Sequence, residues 1–225
     1  MRLFAIAFFS VLLVCGTSSA GVTLLVDFGP FKSGNKPVGN QKKAESSTDD
    51  FALADPQITP DAPINNLAID FAKTKPGNLL ALEGSGIDAD LNFDTGLNGF
   101  GAPGGAWVDT PIVDCYIYTH KKTASLTISS LEEIEAGKTV TVAVWGGGDK
   151  PGQDTTFSIT YDGEVSESKQ VKHGVSQDQA FAVFTFTKTS GVDKLKISYG
   201  NPNNFAGFGG FSISTPSEPE VAEPE

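Results

Sequence analysis

The stretch "GKTVTVAVWGGGDKPGQ", residues 137–153, decides the fold. Val140, Val142 and Val144 share one parity, and Thr139, Thr141, Ala143 and Trp145 take the other, which is the alternation of a half-buried β-strand. Three glycines follow the tryptophan at once, so the strand runs into a loose hairpin loop with Asp149 and Lys150 at its tip. Working outward, the same alternation recurs in "SLTISSL" (125–131), "FSITYDG" (157–163) and "KLKISYG" (194–200). Two-sided or weaker strands are expected at 22–28, 66–72, 86–93, 112–119, 179–187 and 208–214. Phe181, Phe184 and Phe186 lie on both parities of one run, which predicts a central strand covered on both faces. Helical periodicity is missing past the N-terminus, and about ten strands separated by Gly, Pro, Asn and Asp predict an all-β, two-sheet antiparallel jelly-roll sandwich.

The ends of the chain differ in character. "MRLFAIAFFSVLLVCGTSSA" places one cation, a short apolar block and a small-residue cluster in order, the pattern of a secretory signal peptide over 1–20 with cleavage after Ala20. The expected location is therefore secreted, cell-surface or periplasmic, with no membrane insertion once the leader is removed. A single domain is expected over 21–214, carrying a polar loop excursion at 30–63, and a disordered acidic Pro/Glu tail over 215–225.

Charge and cysteine content exclude whole classes. Removing the leader takes away Arg2, the only arginine, and moves the formal charge from −11 to −12, with 15 lysines left against 27 acids. A chain of that balance, with no Lys cluster larger than Lys42-Lys43 or Lys121-Lys122, is a poor partner for nucleic acid or anionic membrane surfaces. Cys115 remains alone, so no internal disulfide forms, and its apolar neighbours in "IVDCYIY" predict a buried inert thiol.

Trp145 allows two readings. Its parity is that of the threonines, so it projects from the solvent face or crowns the strand end; a flat ring beside a backbone-rich glycine loop suits stacking on a pyranose, with Asp149 accepting hydroxyl hydrogen bonds. Alternatively it folds under its own loop as a satellite of the core. Trp107, beyond the glycines of "NGFGAPGGAWVDTP", and the "NPNNF" loop with Asn203, Asn204 and Phe205 are further candidates for ligand contact. The G-x-G-x-x-G at 99–104 lacks a βαβ setting, and "GKT" at 137–139 lacks the preceding glycine of a phosphate loop. "DADLNFD" (88–94) sets Asp88, Asp90, Asn92 and Asp94 along one face of a strand, a solvated edge with a structural calcium as the alternative; no metal or cofactor is assigned. His120 and His173 are the only histidines, in turn-like settings, and no catalytic motif accompanies them, so no enzymatic activity is expected.

Several segments in order, "LLVDFGP", "WVDTPIVDCYIY", "LTISSLEEIEAGKTVTVAVWGGG", "TTFSITYDG" and "GVDKLKISYGNPNNFAGFGGFSIS", resemble secreted galactose-binding-like β-sandwich proteins common in planctomycetes and verrucomicrobia. A similar order occurs in malectin-like domains and carbohydrate-binding modules. The matched features are Trp145-Gly146 at the end of the strand after "GKT", the strand over 155–163, and the final strand after Gly191 to Ile197. The resemblance implies a bacterial, non-catalytic binding module with a polysaccharide or glycan partner. The alternative is a structural or adhesive surface protein with an envelope-protein partner. Its "SEPEVAEPE" end is expected to serve as a spacer.

Overall fold

The computed structural model describes residues 21–33, 36–37, 46–95, 98–101, 111–147, 150–172 and 179–217; the expected signal peptide (1–20) and residues 218–225 of the expected tail lie outside them. Strand β1 (Thr23–Phe28) leads into a ribbon of β2 (Lys32–Ser33) and β3 (Lys36–Pro37), then one helical turn, α1 (Thr48–Ala52), and β4 (Ile64–Leu67). Next come β5 (Leu79–Glu83), β6 (Asp88–Phe93), β7 (Asn98–Gly101), a 3₁₀ turn at Pro111–Val113, β8 (Cys115–His120), β9 (Thr123–Ser129) and β10 (Thr139–Gly147). The chain continues through β11 (Thr155–Tyr161), β12 (Glu164–Val165), β13 (Lys169–Val171), β14 (Phe181–Thr187), β15 (Leu195–Gly200) and β16 (Phe205–Ser214).

Two sheets face each other. The first runs β14-β10-β16-β1-β4, with β8 on the first half of β16 and β7 on β8; the second runs β12-β11-β15-β9-β6-β5, with β13 also on β11. This is the expected all-β jelly-roll sandwich. Val140, Val142 and Val144 point inward against Phe157, Ile159, Leu195, Ile197, Leu126 and Leu91, all buried. Strand alternation therefore builds the core as the sequence predicts, because one face of each sheet must leave water.

Four particulars differ from expectation. The pairing is antiparallel except at β1 and β4, which run parallel with Leu25 opposite Ile64 and Phe28 opposite Leu67. Parallel neighbours need a long crossover, and residues 29–63 supply it. Strand β14 is an edge strand, paired to β10 alone, and not a central one. Its rings occupy both parities because both faces are nonetheless covered: Phe186 stacks on Tyr161 at 3.9 Å, while Phe181 packs on Trp145. The strand expected at 66–72 ends at Leu67, and "LLALE" (79–83) forms a strand that its three leucines and weak alternation did not mark.

The crossover is the largest departure from a polar surface excursion. Ser47 caps α1 by accepting from the Asp50 amide, while the Asp50 carboxylate accepts from the Ser47 amide. This one turn presents Phe51 to the sheet. Phe51, Ile58 and Ala62 are buried on the outer face of the first sheet. Around them Ser46 donates to the Asp27 carboxylate and Ser214 to the Asp55 carboxylate. The Thr23 and Thr59 hydroxyls meet at 3.0 Å. The outer face of the sheet is polar in sequence, and the crossover brings partners to Thr23, Asp27 and Ser214 there, as burial of polar groups requires.

Strand β16 carries the device that aligns the core. Trp145 pairs with Gly210 but Gly146 with Phe208, so Gly209 is an extra residue, a β-bulge. Phe208 and Phe211 are three apart and would face opposite ways in a regular strand; the bulge turns both inward, onto Phe28 at 5.3 and 6.2 Å. A Cβ on Gly210 would press on the Val26 carbonyl oxygen and on Ile112. Gly210→Ala is expected to destabilise the protein by about 1–3 kcal/mol, read as a lowered denaturant midpoint, because the obstructing atom is backbone in a paired strand.

Candidate functional site

Trp145 is fully buried. Its parity is as expected, on the outer face with Thr139, Thr141 and Ala143. The crossover covers that face, with Phe51 edge-on to the indole at 5.1 Å and Phe181 at 5.9 Å. The expectation of a solvent-facing ring is corrected: a ring sealed in this way offers no face to a sugar. Among the described residues its Nε1–H has no hydrogen-bond partner, so packing fixes its position. Trp107 and Asp149 lie outside the described residues.

The remaining sequence candidates gather at one rim of the sandwich. Phe205 opens β16 directly opposite His120, the last residue of β8. Facing residues in antiparallel strands bring their side chains together, and here the Phe205 and His120 rings stack at 4.1 Å with 14° between planes. Tyr118, two residues earlier on the same parity of β8, meets Phe205 edge-on at 5.5 Å. Phe205 remains 36% exposed, a high value for a phenyl ring that a fold could bury. The three rings cluster on the outer face as a rim plate, Phe205 stacked on His120 with Tyr118 edge-on to it.

Three loops frame the plate and are tied to one another. Asn201 accepts from the amides of Asn203 and Asn204 and donates to the carbonyls of Gly152 and Asp154, which fastens the loop before β16 to the loop before β11. The Lys121 amide donates to the Asn204 carbonyl at 2.9 Å, which joins the β8–β9 turn to the same loop. Asn204 uses its side-chain oxygen on the Phe205 amide at 2.9 Å, so it shapes the strand start. Asn203 is exposed, and among the described residues nothing hydrogen-bonds its side-chain amide or the Tyr118 hydroxyl. The arrangement offers the exposed Phe205 ring beside side-chain donors and acceptors.

Of these residues, the sequence pointed to Phe205, Asn203 and Asn204. It missed Tyr118 and placed His120 only as a turn residue. The available signal was the alternation in "CYIYTH", which sets Tyr116, Tyr118 and His120 on one parity.

Other candidates resolve into structure. Along β6, Ala89, Leu91 and Phe93 are buried while Asp88, Asp90 and Asn92 alternate outward, as expected. Asp94 accepts from Ser125 at 2.8 Å, from Thr127 at 3.0 Å and from Asn92 at 3.0 Å. Its carboxylate serves the solvent face of the second sheet. Among the described residues no group of His, Cys, Asp or Glu is placed to hold a metal ion. Cys115 is buried and is in no disulfide, as its neighbours predict. Burial pushes the Tyr199 phenol above its ordinary range, which keeps this core ring neutral. His173 lies outside the described residues.

No protein-family model matches the chain, and comparison with curated proteins finds no match. Among solved structures, similarity is found to the CBM22-1 xylan-binding domain from Paenibacillus barcinonensis Xyn10C, with TM-score 0.36 and 12% identity over 57% of this chain and 87% of that one. TmCBM61, solved in complex with β-1,4-galactotriose, gives TM-score 0.32 and 13% identity over 56% of this chain and 86% of that one. The C-terminal CBM6 of LamC from Zobellia galactanivorans gives TM-score 0.34 and 12% identity over 44% and 78%. All three are carbohydrate-binding modules, and the chemistry of the rim described above comes from this chain's own residues.

Proposed function

We propose that this protein is an exported, non-catalytic module that binds a polysaccharide through the rim plate of Phe205, Tyr118 and His120. The observation that carries the reading is the exposed Phe205 ring, stacked on His120 and bordered by the free amide of Asn203 and the free hydroxyl of Tyr118. A pyranose has one face of C–H bonds and a rim of hydroxyls. An aromatic face covers the first, and side-chain amides and hydroxyls satisfy the second. The tied loops hold the plate and its border in place before a ligand arrives, which limits the ordering cost of binding.

The test is isothermal titration of the chain beginning at Gly21 against a panel of soluble polysaccharides. Binding by at least one of them that is weakened by Phe205→Ala supports the reading. A panel that gives no heat and no retardation in affinity gels overturns it. The Trp145 indole is a poor fluorescence reporter for this site, since it is sealed from solvent.

A further inference from the structure

The loops that frame the plate carry cations in a chain whose formal charge is −11. Lys121 and Lys122 form the β8–β9 turn beside His120, and Lys150 begins the described part of the loop that Asn201 fastens to the plate. All three are exposed, and none is ion-paired among the described residues. Elsewhere Lys188 is held by Asp193 at 2.8 Å, Lys196 lies 3.9 Å from Asp94 and Lys138 lies 3.8 Å from Glu135. Among the described residues of the three rim loops (121–122, 150–154 and 201–204), Asp154 is the one carboxylate.

Unpaired cations at the border of an apolar plate select the charge of what lies on it. We propose that the glycan recognised here is anionic, a chain bearing carboxylate or sulfate groups, with Lys121, Lys122 and Lys150 supplying the counter-charge. The inference rests on the rim plate being the glycan site. The remaining acids of the chain oppose a polyanion at long range. At an ionic strength of about 0.1 M, however, the screening length is about 10 Å, so distant acids are muted while lysines in contact are not. Local charge then decides the encounter.

The test compares a neutral galactan, polygalacturonate and a sulfated galactan on the chain beginning at Gly21, in 0.1 M and 0.5 M NaCl. A triple variant, Lys121→Asn, Lys122→Gln and Lys150→Gln, is titrated alongside. Asn is chosen at 121 because φ there is +52°, a region that Asn tolerates. Expected results are at least tenfold tighter binding of one or both anionic probes than of the neutral one at 0.1 M, and a several-fold loss at 0.5 M. The triple variant should lower anionic affinity five- to tenfold and leave its melting temperature unchanged. Equal or tighter binding of the neutral galactan, with no salt dependence and no effect of the lysine changes, overturns the charge proposal while leaving the glycan plate standing. Failure of all three probes to bind overturns both.

Discussion

Trp145→Ala is expected to lower stability by about 3–5 kcal/mol, the cost of deleting a large, fully packed aromatic from a core. At about 2–4 °C per kcal/mol for a chain of this size, the melting temperature falls by about 10 °C. The effect is large because the indole serves two elements at once. It is the outward residue of β10 opposite Phe181, and it is the surface on which Phe51 of the crossover rests. Removing it leaves a void that the strand cannot close and unseats α1. Trp145→Phe is expected to cost much less, about 1–2 kcal/mol, since the Nε1–H has no partner to lose. Chemical denaturation of the two variants against the parent chain checks both. A Trp145→Ala protein of unaltered stability that has lost glycan binding would place the indole at the ligand and contradict the structure.

The same residue shows how far sequence alone reaches. Alternation located Trp145 on the outer face, and that is where it lies. Strand parity, however, reports only which side of a sheet a residue occupies. What covers that side depends on a segment nearly a hundred positions earlier in the chain. Residues 46–62 carry scattered Pro and Asp and only a few apolar residues, so neither periodicity nor composition marks Phe51, Ile58 and Ala62 as buried. The parallel pairing of β1 with β4 was equally hidden, because the need for a crossover is visible only once the pairing is known. Alternation also cannot cross a bulge: the inward turn of both Phe208 and Phe211 depends on one unpaired glycine, Gly209. By contrast, the valines of β10, the alternating rows of β9, β11 and β15 and the burial of Cys115 follow directly from local pattern.

For the candidate site, sequence picked out the loop but not the plate. Phe205 stood out as an aromatic among asparagines, whereas its stack with His120 joins residues 85 positions apart through the register of β16 with β8. Long-range register of this kind is set by the sheet as a whole.

Phe205→Ala should have the opposite signature to Trp145→Ala. The ring is partly exposed and its contacts are to two rim rings, so its loss is expected to cost about 1 kcal/mol of stability or less. Glycan affinity should fall by about tenfold or more, as for an aromatic anchor whose truncation costs about 1.4 kcal/mol or more. Phe205→Tyr, which preserves the plate, is expected to retain binding within a few-fold. Calorimetric titration with unfolding measured on the same samples separates the two effects, because a folding defect would lower both together.

The most direct test of the rim plate is a titration of ¹⁵N-labelled chain beginning at Gly21 with a bound polysaccharide, followed by amide and indole chemical shifts. The account predicts shifts confined to residues of 118–122, 150–154 and 201–206, with the Trp145 indole N–H unmoved and slow to exchange with solvent. A moving Trp145 indole signal with a silent Phe205 strand would contradict it.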